Sequence, residues 1–118
     1  MIIYKQDRER QDRCDVRGGH GMTHQWDMFT GENVVAPENY ELLTEIKHEP
    51  GTRVGLHQHT ENSEVYYILE GTAWYNDNGT EVILHEGDTA ICNRGEWHAI
   101  GNPTDKTMRF LAVIISGK

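Results

Sequence analysis

Two histidines one residue apart, His57 and His59, are followed five residues later by Glu64. Side chains alternate faces in an extended segment, so the two imidazoles point the same way. Glu64 reaches the same point only if the chain turns, and the four polar residues from Thr60 to Ser63 favour such a turn. Two imidazoles and a carboxylate that converge in this way are half of a metal site.

A second segment, from Gly87 to Asn102, reads GDTAICNRGEWHAIGN. Seven residues separate Gly87 from Gly95, two separate Gly95 from His98, and three separate His98 from Asn102. Together with the Gly51–Gly71 segment (GTRVGLHQHTENSEVYYILEG), it resembles the paired motifs of the cupin superfamily. The resemblance runs from Tyr40 to Ile115 and implies a double-stranded β-helix, a jelly-roll barrel built entirely from strands. It also implies that His57, His59, Glu64 and His98 ligate one divalent transition metal. Asn93 departs from the pattern, because a proline usually stands two residues before the second glycine. Proline there stiffens a turn and ligates nothing, so its absence is expected to weaken the turn and not the site.

Three neutral imidazoles and one carboxylate leave a divalent cation with a net charge of about +1. The set has no thiolate, unlike most closed structural zinc sites, and on an octahedral ion it leaves two positions open. Manganese, iron, nickel, cobalt and zinc all accept these donors, and the sequence does not choose. A ligand with adjacent oxygens can chelate at the open positions. The metal then favours deprotonation, enolisation, decarboxylation or isomerisation, and Fe(II) would add a dioxygenase reaction.

Three other residues are candidates for catalysis. Tyr66 shares the parity of Glu64 and could donate a hydrogen bond to a bound substrate, or pack as a satisfied aromatic. Arg53 shares the parity of His57 and His59. On a straight strand its guanidinium enters the cavity and grips a carboxylate, and otherwise it snorkels to the surface. His48 is a weaker candidate for proton transfer, set against a plain strand-end surface residue. His20 and His24 invite a second-metal reading, but their glycine-rich flanks oppose the helix that would align them. A loop covering the barrel mouth, in this or a neighbouring subunit, fits the Arg17–Gly21 segment (RGGHG) better.

The elements that must carry these residues are strands. Tyr40 to His48 alternates, and Glu64 to Glu70 and Thr107 to Ser116 are apolar on both faces. Asn76 to Gly79 signals a hairpin, and turn residues recur every eight to twelve positions. Ile2 to Lys5 reads as a short edge strand, Gln6 to Arg13 as a charged, solvated arm or a turn of helix, and the segment around Trp26, Met28 and Phe29 as a short buried strand. The chain thus divides into an N-terminal arm, loop and edge strand (1–39) and a barrel (40–118) within one domain. Strands apolar on both sides must bury both, which points to a homodimer.

At 118 residues there is room for one core. The formal charge of −8, from 19 acidic against 11 basic residues, lacks the basic footprint of a nucleic-acid binder. No apolar run approaches membrane-spanning length, the first charges come too early for a signal-peptide core, and Cys14 and Cys92 form no close pair. A cytoplasmic protein with a small-molecule partner and no nucleic acid or membrane partner is expected. The leading expectation is a metal-dependent enzyme of dioxygenase, decarboxylase or isomerase type acting on a small, oxygen-rich anion. The alternative is a non-catalytic binder of the same ligand class.

Overall fold

The computed structural model describes residues 1–116; Gly117 and Lys118 lie outside the described residues. Ten strands run in order: β1 (Glu9–Cys14), β2 (Met22–Asp27), β3 (Tyr40–His48), β4 (Arg53–Gln58), β5 (Asn62–Glu70), β6 (Ala73–Asp77), β7 (Thr80–Leu84), β8 (Thr89–Cys92), β9 (Trp97–Gly101) and β10 (Met108–Ser116). They form a six-stranded sheet in the order β1-β2-β3-β10-β5-β8 and a four-stranded sheet in the order β4-β9-β6-β7. All ladders are antiparallel. This is the expected all-β jelly-roll architecture. The sheets face one another across a shared core, and hydrogen bonding does not close them into a barrel. Among the described residues no helix is long and apolar enough to cross a membrane.

Alternation on each strand builds that core. Ile68 of β5, Ile100 of β9, and Met108, Phe110 and Ala112 of β10 are buried from both sheets and interlock. Two tight turns fix the registers. Gly71, at φ +83°, ends β5 where an added Cβ would lie 2.8 Å from the Thr107 carbonyl oxygen. Asn78 and Gly79 both take positive φ between Asp77 and Thr80, so the expected hairpin closes through a two-residue turn. The Asn93 turn, which lacks the usual proline, is tied by a bond of its own. The Asn93 N–H donates to Glu96 Oε1 at 2.7 Å, a bond that proline could not make.

The N-terminal region departs from expectation. Ile2 to Lys5 is not a strand; a 3-10 turn covers Lys5–Asp7. The charged arm is instead strand β1, fully exposed and paired with β2 along its length. Charged residues give no apolar alternation to read, and here the backbone ladder and the edge position decide the conformation. Arg8 and Arg10 lie over the Trp26 ring at 5.9 and 5.4 Å and anchor the edge. Between β1 and β2 the chain makes a second 3-10 turn, Val16–Gly18.

Candidate metal centre

His57 sits at the end of β4, His59 just beyond it, Glu64 near the start of β5 and His98 on β9. Each imidazole is oriented by a partner at Nδ1. His57 Nδ1 lies 2.8 Å from the Gly55 carbonyl oxygen, which can only accept, so Nδ1 carries the proton and Nε2 is left to ligate. His59 Nδ1 lies 2.6 Å from Asn62 Oδ1, whose amide nitrogen donates to Glu41 at 3.0 Å and so fixes which way the amide faces. His98 Nδ1 lies 3.0 Å from the Tyr75 hydroxyl.

The three Nε2 atoms then meet. His59 Nε2 and His98 Nε2 are 3.0 Å apart, and His98 Nε2 and His57 Nε2 are 3.2 Å apart. Glu64 Oε1 is 3.0 Å from His59 Nε2 and 3.1 Å from His98 Nε2. All four donor atoms fall within 4.8 Å of one another. Donors about 2.1 Å from a metal stand about 3.0 Å apart in cis octahedral positions and about 3.4 Å apart in a tetrahedron. The spacing fits a divalent ion, and the cluster can hold one.

The electrostatics follow from this crowding. Burial pushes the Glu64 carboxyl up, but hydrogen bonds with His59 and His98 outweigh it and hold the group down at about 2. The Glu64 contact raises His59, against burial. Burial chiefly holds His57 down at about 4. The site therefore keeps a carboxylate charge among imidazoles in a largely buried place.

A cavity of about 130 Å³ opens on the cluster. His57, His59, Glu64 and Tyr66 line it, and so do Arg13 of β1 and Arg17 of the second 3-10 turn. Tyr66 is where its parity predicts: buried, and stacked on the His98 ring at 5.0 Å and 12°. Burial, and then the neighbouring Glu64 charge, push its phenol well above the usual tyrosine range, so it stays protonated.

Arg53 does not reach the cavity. A bulge between Val54 and His57 shifts the parity, which turns Val54 inward and Arg53 outward. Its guanidinium stacks on the Trp74 ring at 3.6 Å, in a separate cleft that also contains His20. His48 is fully buried, which departs from the surface reading, and it packs edge-on to Phe110 outside the cavity lining. His20 and His24 do not come together as ligands. His20 bridges to Arg53, while His24 lies between Asp12 (2.6 Å) and Glu49 (3.1 Å).

Sequence reasoning missed Arg13, Arg17, Tyr75 and Asn62. Val16 and Arg17 do reach the cavity, as a mouth-covering loop requires. The glycines after Arg17 were the available signal: added Cβ atoms at Gly19 and Gly55 would collide with the Arg53 and Arg17 carbonyl oxygens, so this loop is packed hard against β4.

The family model for the cupin domain matches residues 44–114. The chain belongs to the cupin family. It is 33% identical over 115 residues to a Thermotoga maritima protein named oxalate-binding protein, covering 98% of this chain and 93% of that one. It superposes on the crystal structure of a predicted oxalate decarboxylase from Thermotoga maritima with a TM-score of 0.87 and 31% identity, covering 99% of this cupin and all of the other chain (100%). A cupin 2 conserved barrel domain protein from Salinispora arenicola shares the fold, with a TM-score of 0.72, 21% identity, and coverage of 99% and 88%.

Proposed function

We propose that this cupin holds one divalent transition metal on His57, His59, Glu64 and His98 and binds a small carboxylate anion there. The observation that carries the reading is the convergence of three oriented Nε2 atoms and Glu64 Oε1 at cis-octahedral spacing. Names of similar proteins, oxalate-binding protein and predicted oxalate decarboxylase, support an anion with adjacent oxygens.

Bound at this site, the metal supplies Lewis acidity to chelating oxygens. The chain's own residues do the rest. Glu64 contributes the one negative charge, Nδ1 partners hold the rings, and Tyr66 offers a protonated hydroxyl beside Glu64. Among the described residues the cavity lining has no imidazole or carboxyl beyond the proposed ligands themselves. Proton-transfer chemistry lacks an independent base there, which favours the binding reading over turnover. Turnover is the second reading, favoured by the Tyr66 phenol next to Glu64, where it can donate to a reacting oxygen.

Elemental analysis of protein purified without chelator, followed by calorimetric titration with oxalate, tests the proposal. One metal per chain, and oxalate binding by the loaded form alone, is the expected result. Full metal occupancy in both His57→Ala and Glu64→Ala would overturn the ligand assignment. Product formation from oxalate, or oxygen uptake, would move the assignment to an enzyme. The homodimer stays part of the proposal: Tyr67, Leu69 and Ile91 leave apolar surface on the outer face of the larger sheet, and the mass in solution decides it.

A further inference from the structure

Arg13 and Arg17 lie outside the residues that the family model matches, yet both line the cavity over the metal cluster. They come from different elements, an edge strand and the 3-10 turn that follows it. Neither guanidinium makes an ion pair or a side-chain hydrogen bond among the described residues. That contrasts with Arg8, Arg10 and Arg109, each bonded to a carboxylate.

The placement of Arg17 is specific. Its backbone is left-handed (φ 57°, ψ 32°), a conformation uncommon for a non-glycine residue that persists only where its surroundings impose it. Its surroundings are visible. Gly55 lacks the Cβ that would strike the Arg17 carbonyl, and His20 and Arg53 exchange two backbone hydrogen bonds of 2.7 Å just beyond. The turn is thereby fixed to β4, the strand that carries His57. Two cations without acidic partners thus face a site whose four ligands already leave a bound divalent ion at about +1. Together they bring the local charge to about +3, which a dianion neutralises better than a monoanion.

Size narrows the ligand further. The space over the metal is about 130 Å³, below the 300–1,000 Å³ of ordinary small-molecule pockets, and it adjoins, at Arg17 and His59, a more open cleft of about 320 Å³. Building on the metal-site reading above, we propose that Arg13 and Arg17 are the specificity residues of this cupin. They pair with the outward oxygens of a two- to four-carbon dicarboxylate whose other oxygens occupy the metal. Both side chains are exposed at the rim, so they can close on the anion after it arrives.

The test uses the Mn(II)-loaded full chain, with metal content measured for every variant. Oxalate, malonate and the monoanions glycolate and acetate are titrated against wild type, Arg13→Gln, Arg17→Gln, the double variant and the two Arg→Lys variants. We expect each Gln substitution to weaken oxalate about tenfold or more and glycolate much less, at unchanged metal content. Lysine should restore part of the loss, because it keeps the charge and loses the fork. Equal losses for dianion and monoanion, an unchanged oxalate affinity in the loaded double variant, or no binding of any dicarboxylate by loaded wild type would each overturn the proposal. Wild type that takes up no metal would instead overturn the metal-site reading on which it rests.

Discussion

His98 and His48 are both fully buried in the same interior, and they are held in opposite ways. His98 has the Tyr75 hydroxyl at Nδ1, and its Nε2 points at His57, His59 and Glu64. Among the described residues His48 has no hydrogen-bond partner at either ring nitrogen, and Thr44, four residues earlier on the same strand, has none at its hydroxyl either. A buried imidazole becomes a ligand when one nitrogen is satisfied and the other is aimed; burial alone leaves a desolvated group with nothing to do. The contrast therefore separates a site from a cost.

The strongest way to break it is to remove the aimed ring. His98→Ala should reduce metal content to about a tenth or less, because a four-donor site loses a donor and the remaining three face a gap. His48→Met, in the same core, should leave metal content as in wild type. Equal metal loss in both variants would mean that interior packing, and not ligation, controls occupancy.

The orienting partner comes next. Tyr75→Phe removes the hydroxyl that meets His98 Nδ1 and keeps the ring in the core, so metal affinity should fall about tenfold to a hundredfold with little change in melting temperature. A competition titration against a chelator reads this directly. An unchanged affinity would show that crowding by Tyr66 and the other ligands is enough to hold His98 in place.

His48 sharpens the other side of the comparison through pH. Burial, and then the nearby His24 charge, lower its folded pKa from 6.5 to about 4. His24 itself is raised, mainly by the hydrogen bonds to Asp12 and then Glu49, and Phe110 and Met108 present only apolar surface to His48. A lowered folded pKa means that the unfolded chain takes up the proton first, so stability is full above about pH 6.5 and is lost as pH falls toward 4. The loss from His48 amounts to about 3 kcal/mol across that window. His48→Met should remove this part of the acid sensitivity and gain about 1–3 kcal/mol at neutral pH, since it deletes two unpaired nitrogens. Parallel pH–stability curves for the two proteins would sink the argument.

How legible all this was in the sequence depended on whether the signal was carried by residue type or by register. The four clustered donors were readable because their chemistry is rare and their spacing is bounded by turn residues; β3 was readable from end to end because its alternation in the sequence is broken only at Leu43. Strand β1 was not, since Arg10, Asp12 and Arg13 offer no apolar face and the strand exists through its ladder with β2. Arg17 was hidden for a related reason. A loop residue declares its direction only through backbone dihedrals and through close contacts such as the one at Gly55.

Arg53 shows the same limit and gives the smallest expected effect. Parity with His57 sends it inward on a straight strand, and one bulge between Val54 and His57 reverses that. It ends on Trp74, whose indole N–H donates to Glu81 at 2.8 Å, on the outer side of the smaller sheet. Arg53→Ala should therefore leave metal content and oxalate affinity within about twofold of wild type. Its cost is the stacking contact, about 0.5–1 kcal/mol at an exposed site, read as a small drop in denaturation midpoint. A tenfold loss of oxalate affinity in Arg53→Ala would place the anion on the wrong guanidinium. It would also mean that the bulge, and not the parity rule, had misled the assignment of the cavity wall.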